Sequence, residues 1–437
     1  MSMVADTGQV GLYASDELVV ALPYAPIIGT KLSALGGRGL SFRVTERSRA
    51  LDLALVRVHG IEKAADELRR LVDEQARAVH GRDHPELPRV PGPHASDLDR
   101  LMFHLRCTFI REWAGWVPPM GKNRHVESVT GLPHLSGGGV HSPVPCGEPS
   151  ARTDRDHRLG AGVRVGVLDT RLHPHRALAG RYIVADEDSI LRAEEPFPHF
   201  AGHATFVAGL VLRSAPAAEL DVRWVLDDRH AVATTWQAAC RMVEFRDAGV
   251  AVLNMSLGCS TNDGVPPLVI SRAVELLTPD VVLVAAAGNH GEATTEPPGH
   301  RLTPRTPMWP AALPDVVAVG AYNHRSQQPA CFSPKVPWLT FTAPGENVDS
   351  TYLTGKVLIE NSDQRINQVT DRGPLTKTFD GYATWSGTSF AAATVSGHIA
   401  ARTVPGRRDA REALRQLKDR AQREADGEVR VHRPEDS

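Results

Sequence analysis

From residue 163 onward, short apolar runs alternate with helix-length segments, and this alternation constrains the fold more than any other feature of the chain. Val163 to Leu168, Leu220 to Val225, Val250 to Met255, Val281 to Ala285 and Val316 to Val319 read as strands. Val281 to Ala285 is an unbroken apolar run, the pattern of a strand buried on both faces. Between these strands, His203 to Leu212, Ala231 to Arg246 and Pro267 to Leu277 read as helices. Strand and helix in alternation predict an α/β fold, three layers with a mainly parallel central sheet.

Three segments of this region carry chemistry. Val163 to Thr170 is a strand that ends on an acid, Asp169, and functional groups of open α/β sheets sit at the carboxyl ends of strands. Gly202 to Val211 places His203 at the start of a helix of small and apolar residues. Gly387-Thr388-Ser389-Phe390-Ala391-Ala392-Ala393 places a hydroxyl on a glycine-flanked turn that opens a helix, near its positive end. A serine nucleophile needs a base within hydrogen-bond reach, and the base needs an acid to hold its tautomer. All three residue types are present, each at the end of an expected element.

The chain order Asp169, His203, Ser389 is that of the subtilisin type. On these motifs residues from about 160 to 425 resemble the subtilisin family of serine peptidases. The resemblance implies catalytic roles for Asp169, His203 and Ser389. It assigns the oxyanion-donor role to Asn289, in Ala285-Ala286-Ala287-Gly288-Asn289. It also implies that the backbone of Ser256, Leu257 and Gly258, with Ala286, Ala287 and Gly288, binds substrate as an added strand. Met308 and Trp309 fall near the wall of the primary pocket, which points to a shallow, apolar pocket. Phe341 to Gly345 matches a turn of the scaffold.

The departures from the family pattern stand beside the catalytic positions. Arg171 replaces a glycine, Ala204 and Phe206 replace a glycine and a histidine, and Ala393-Thr394 replaces a proline-histidine pair. The expected reaction is endopeptidase hydrolysis of peptide bonds through an acyl-enzyme. The same residues also suit a peptide-binding pseudoprotease, or a dedicated peptide-processing or transpeptidating enzyme in which an amine replaces water. No cofactor is expected; the resemblance allows calcium, for which the sequence offers no site.

The rest of the chain is read from composition and periodicity. A length of 437 residues accommodates a core domain and a smaller unit, and a net charge of −2 gives no reason to expect nucleic-acid binding. Five cysteines in no paired or zinc-like spacing point to a reducing compartment. With no signal-like start and no run of membrane-spanning length, the expectation is a cytoplasmic protein that does not engage membranes.

Residues 1–95 are expected to form a small α+β domain, propeptide-like or regulatory, that contacts the active-site face. Its strands are Glu17 to Leu22, Gly39 to Val44 and Leu51 to Val58, and its helix is Ile61 to Val79. Residues 96–158 read as a helix, Ser96 to Trp113, followed by a Gly/Pro/His-rich linker; 159–425 as the catalytic domain; and 426–437 as a polar tail. Val348 to Tyr382 reads as a hairpin insertion and Arg407 to Arg423 as a charged helix.

Overall fold

A computed structural model describes residues 3–4, 12–35, 40–79, 89–93, 95–129, 142–149, 156–184, 186–292, 302–359 and 375–424. The expected tail, and residues 130–141 and 150–155 of the expected linker, lie outside these.

The central sheet has seven strands, all parallel. From one edge they run Phe341–Glu346, Val316–Asn323, Val282–Ala286, Val252–Met255, Arg164–Asp169, Glu219–Trp224 and Tyr182–Val184. The chain begins the sheet at Arg164–Asp169, builds outward to one side, then returns to build the other. That strand is therefore where the order reverses, and ligands of such sheets bind at the carboxyl ends of strands at this point. Asp169 is its last residue. The segment expected as a scaffold turn, Phe341 to Gly345, is the edge strand itself.

Helices cover both faces. His203–Ser214 and the serine-bearing helix Thr388–Arg402 pack together on one face, in the cluster that holds Val165, Val167, Val284 and Val319. Their small residues allow close approach: a Cβ at Gly397 would lie 2.6 Å from the Val211 carbonyl oxygen. On the other face lie Thr235–Val243 and Leu268–Leu277, against Leu168, Leu253, Leu283 and Ala318. The expected hairpin is present as Val348–Ile359 and Leu375–Trp385, and the charged helix as Ala410–Glu424.

The N-terminal unit is a second sheet. Strand Tyr13–Ala21 is central, flanked by Leu53–His59 and Met120–Ser128, with Ser41–Ser48 beyond Leu53–His59, all antiparallel. Period-two alternation splits its side chains cleanly between two cores. Leu18, Val20, Ala54 and Val56 pack under helix Asp97–Glu112, with Leu98, Leu101, Leu105 and Phe109. Val19, Ala21, Leu53 and Leu55 face the opposite way and join the cluster of Trp236, Ala239, Val269 and Ile270. The N-terminal sheet is thus packed against two helices of the parallel-sheet unit.

Polar contacts fix this docking. Asn123 Oδ1 accepts from Trp236 N at 3.1 Å and from Thr235 Oγ1 at 3.2 Å, while its Nδ2 donates to the buried Glu17 at 2.7 Å. Trp236 Nε1 donates to Glu46 at 2.7 Å.

Two expectations need correction. Residues 97–112 and 120–128 belong to the N-terminal unit, not to a separate linker region: the helix covers its sheet and the strand completes it. The helix expected from Ala231 starts only at Thr235, because Val232–Thr234 is a strand and Ala231 has a left-handed φ of 54°. No helix among the described residues is long and apolar enough to cross a membrane.

Candidate active site

The fold brings Asp169, His203, Asn289 and Ser389 together at one end of the parallel sheet. Asp169 and His203 are fully buried, and His203 Nδ1 donates to Asp169 Oδ1 at 2.6 Å. The same carboxylate oxygen accepts from Thr170 N at 2.7 Å. Thr170 in turn accepts from Ala204 N at 3.1 Å, which ties the strand end to the first turn of the histidine helix. Trp385 meets the imidazole edge-on at 5.7 Å, and Phe390 lies 5.6 Å away. These rings exclude water, and in a low dielectric the Asp–His contact is stronger than it would be in solvent.

Ser389 is the second residue of the helix Thr388–Arg402 and is fully buried. Its hydroxyl donates to the Ser256 carbonyl oxygen at 3.2 Å. Among the described residues no hydrogen bond joins it to His203; His203 Nε2 instead meets Ser128 Oγ at 3.2 Å. A polar network anchors the serine helix to the sheet: Ser256 Oγ donates to Ser389 O at 3.0 Å, Asn254 Nδ2 to Ser256 Oγ at 2.9 Å, and Ser396 Oγ to Asn254 Oδ1 at 3.0 Å.

Asn289 follows Gly288, whose φ of 112° few side-chain-bearing residues adopt. Its Oδ1 accepts from Thr388 N and from Thr388 Oγ1, both at 3.0 Å. A backbone N–H can only donate, so this bond fixes which end of the amide is which. The Nδ2 end donates to the carbonyl oxygen of Val129 at 2.5 Å.

Val129 directly follows the strand Met120–Ser128 of the N-terminal unit, which runs through the cleft. Leu257–Gly258 pairs with it antiparallel on one side, Leu257 with Ser128 and Gly258 with Glu127. Val232–Thr234 pairs with it on the other, Val232 with Glu127, Ala233 with Val126 and Thr234 with His125. Val129 N donates to Ser256 O at 3.2 Å, and Ser128 N to Ala231 O at 2.8 Å. The expected backbone pairing by Ser256, Leu257 and Gly258 is therefore made, to a segment of this same chain. Ala286 is buried in the same apolar cluster as Val129. Ala287 donates its N–H to Val319 O at 3.0 Å within the sheet, so that group is not offered to a bound peptide.

The Subtilase family pattern matches residues 160–421. The chain belongs to the subtilase family. This subtilase is 31% identical over 225 residues to the thermostable alkaline protease of Halalkalibacterium halodurans, a match covering 49% of this chain and 56% of that protein. It is 29% identical over 265 residues to the intracellular serine protease of Paenibacillus polymyxa, covering 55% and 66%. The matched regions thus span little more than half of the first relative and about two thirds of the second. Among solved structures, a cold adapted subtilisin-like serine proteinase aligns with a TM-score of 0.46 at 23% identity, over 63% of this chain and 87% of that one.

Where this subtilase departs from its family pattern, the structure gives physical reasons. Arg171 is turned into a pocket of its own: Nη1 pairs with Asp228 at 2.9 Å, Nε donates to Asp188 O at 2.7 Å, and the guanidinium lies 3.9 Å from the Trp224 ring. Its charge is thereby balanced by Asp228. Phe206, fully buried, packs 4.3 Å from Phe390 and 5.8 Å from Trp385, the two rings that flank the imidazole. Burying such a ring contributes roughly 1.5–3 kcal/mol. Ala393 is fully buried within an uninterrupted helix, where a proline would remove a backbone donor.

Met308 fills the space between two glycines of the site. A Cβ built on Gly258 would lie 2.7 Å from Met308 Cγ, and one on Gly288 would lie 3.4 Å from Met308 Cε. Among the described residues no group of three or more His, Cys, Asp or Glu side chains is placed to hold a metal ion.

The carboxyl of Glu127 is pushed up to about 7 by burial in the cleft. The sign follows from proton counting. Once the strand leaves the cleft the carboxyl reverts to its ordinary value near 4.5, so between these values the docked state binds more protons. Docking is unpenalised below pH 4.5, weakens as pH rises through that window, and carries the full penalty above 7. In an inactive Ser389→Ala background, adding Glu127→Gln is expected to leave stability unchanged near pH 4 and to raise it by on the order of 1–3 kcal/mol above pH 7. Thermal unfolding across that range checks this; a pH-independent difference would remove the argument.

Proposed function

We propose that this subtilase is a serine endopeptidase, and that its N-terminal unit lies in the cleft as a tethered, substrate-like occupant. The observation that carries this reading is the Val129 carbonyl held on Asn289 Nδ2, at the end of a strand paired on both sides, beside the buried Asp169–His203 pair. Pairing through the backbone is how a protease accepts an extended peptide with little regard to sequence. Relatives named as serine and alkaline proteases support the same reading.

In the proposed reaction Ser389 Oγ attacks the carbonyl carbon of the residue seated as Val129 is. A C–O bond forms, the hydroxyl proton passes to His203 Nε2, and the carbonyl oxygen becomes an oxyanion. Asp169 holds the imidazole and stabilises its cation. Asn289 Nδ2 and the Ser389 N–H, which belongs to the first helical turn, receive the oxyanion. The C–N bond then breaks, its amine takes the proton from Nε2, and water releases the acyl group by the reverse sequence. The five cysteines, none in a disulfide, support a reducing compartment.

The test is labelling of Ser389 by a fluorophosphonate, together with casein hydrolysis once the N-terminal unit is displaced. Absence of both would sink the reading and favour a peptide-binding protein.

Met308 between Gly258 and Gly288, with Val129 seated in the site, supports a preference for small branched residues on the acyl side of the cleaved bond. Met308→Gly is expected to raise kcat/KM for leucine or phenylalanine relative to valine at that position by roughly tenfold or more. A peptide library read on both enzymes checks it, and an unchanged profile would show that Met308 does not limit the pocket.

A further inference from the structure

We propose that Ser128 is a latch: while its hydroxyl occupies His203 Nε2, the nucleophile is cut off from its base. This rests on the peptidase reading above and names a control built into that same site.

Almost every other part of the reactive arrangement is in place. The Val129 carbonyl is on Asn289, Val129 N is on Ser256 O, and Asp169 holds His203. What is missing is the path for the Ser389 proton. His203 donates from Nδ1 to Asp169, so Nε2 of the neutral ring carries the lone pair and can only accept. One lone pair serves one donor. Ser128 Oγ stands 3.2 Å from it, and the Ser389 hydroxyl is satisfied elsewhere, on Ser256 O at 3.2 Å.

The two hydroxyls belong to opposite sides of the reaction. Ser389 is the nucleophile. Ser128 is the residue before Val129 in the occupying strand, with its backbone fixed by Ala231 O and by pairing with Leu257. Ser389 and His203 are fully buried and Ser128 is 8% exposed. With little access for water, the two hydroxyls are the groups that compete for Nε2. Ser128 turns off the imidazole and Ser389 turns from Ser256 O onto it.

The latch therefore delays attack on Val129 without loosening the docked strand. It also acts on sequence: a peptide with serine or threonine in the place of Ser128 brings its own latch, whereas one with alanine does not.

The experiment uses the full chain with Ser128→Ala, Ser128→Thr and Ser389→Ala beside the wild type. Chain cleavage after Val129 is followed by intact mass, and Ser389 labelling by a fluorophosphonate. The expected result is cleavage roughly three- to tenfold faster in Ser128→Ala, the worth of one exchanged hydrogen bond, while labelling, for which the strand must leave and take Ser128 with it, reports only that Ser389 is reactive. Ser128→Thr keeps the hydroxyl and stays near the wild-type rate, which separates a latch from a mere change of packing. Peptide substrates with serine in place of alanine at that position should lose kcat while KM holds.

A rate in Ser128→Ala equal to or below that of the wild type, with Ser389→Ala uncut, overturns the latch and leaves the peptidase reading intact. No cleavage and no labelling in wild type, Ser128→Ala and Ser128→Thr alike overturns both.

Discussion

Ser389→Ala is expected to leave the full chain uncut after Val129 and to abolish casein hydrolysis. The loss in turnover should be on the order of 10⁶, the magnitude known for the matching serine in subtilisin and not one derived from this geometry. The fold should tolerate the change. Ser389 Oγ gives one hydrogen bond, to Ser256 O, and that oxygen also accepts from Val129 N. Removing the hydroxyl therefore orphans no buried acceptor, and the cost is about 1 kcal/mol or less rather than the penalty of an unsatisfied group. Casein digestion and thermal unfolding of the same preparations check both halves. An alanine variant that digests casein at the wild-type rate would refute the assignment of Ser389. A variant that fails to fold would refute the account of its hydrogen bonding.

The parts of this structure that were legible in the sequence are those whose signal is local. Val281 to Ala285 is an unbroken apolar run because both faces of the sheet are covered, and the expected strands at 163, 220, 250 and 281 match the observed ones within one or two residues, whereas Val316 to Val319 stops four residues short and the edge strands Tyr182–Val184 and Phe341–Glu346 lack such a run. Asp169, His203 and Ser389 were legible because each sits at an element end that its own neighbours announce.

The strand Met120–Ser128 was not. Its residues are mostly polar, since it is held by backbone pairing to Leu257–Gly258 and Val232–Thr234 rather than by apolar side chains. Val126 is its one β-branched residue, so no period-two alternation marks it. The helix Ala25–Ala34 has no counterpart among the expected elements; Pro26 sits in its first turn. Proline at the start of a helix removes an N–H that has no partner there. Contact of the N-terminal unit with the active-site face was expected. That it reaches the imidazole itself, through Ser128, depends on pairing between segments more than a hundred residues apart, which no local pattern encodes.

Asn289→Ala is expected to lower turnover by roughly 10²–10³ with little change in KM, again the magnitude measured for the matching donor in subtilisin. Asn289 Nδ2 donates to the Val129 carbonyl, while Oδ1 accepts from the N–H and the hydroxyl of Thr388 at the start of the serine helix. Alanine removes both, so it should also cost about 1–2 kcal/mol of stability through the lost cap. Asn289→Asp keeps the acceptor and loses only the donor. If the side chain acts on the oxyanion, the aspartate variant falls in turnover at least as far as alanine, because a carboxylate repels the developing negative charge. If Asn289 only props up the helix, the order reverses and aspartate approaches wild-type turnover. Steady-state kinetics and unfolding of the two variants side by side therefore decide whether the bond to Val129 marks a site that binds a carbonyl or one that also stabilises the charge formed on it.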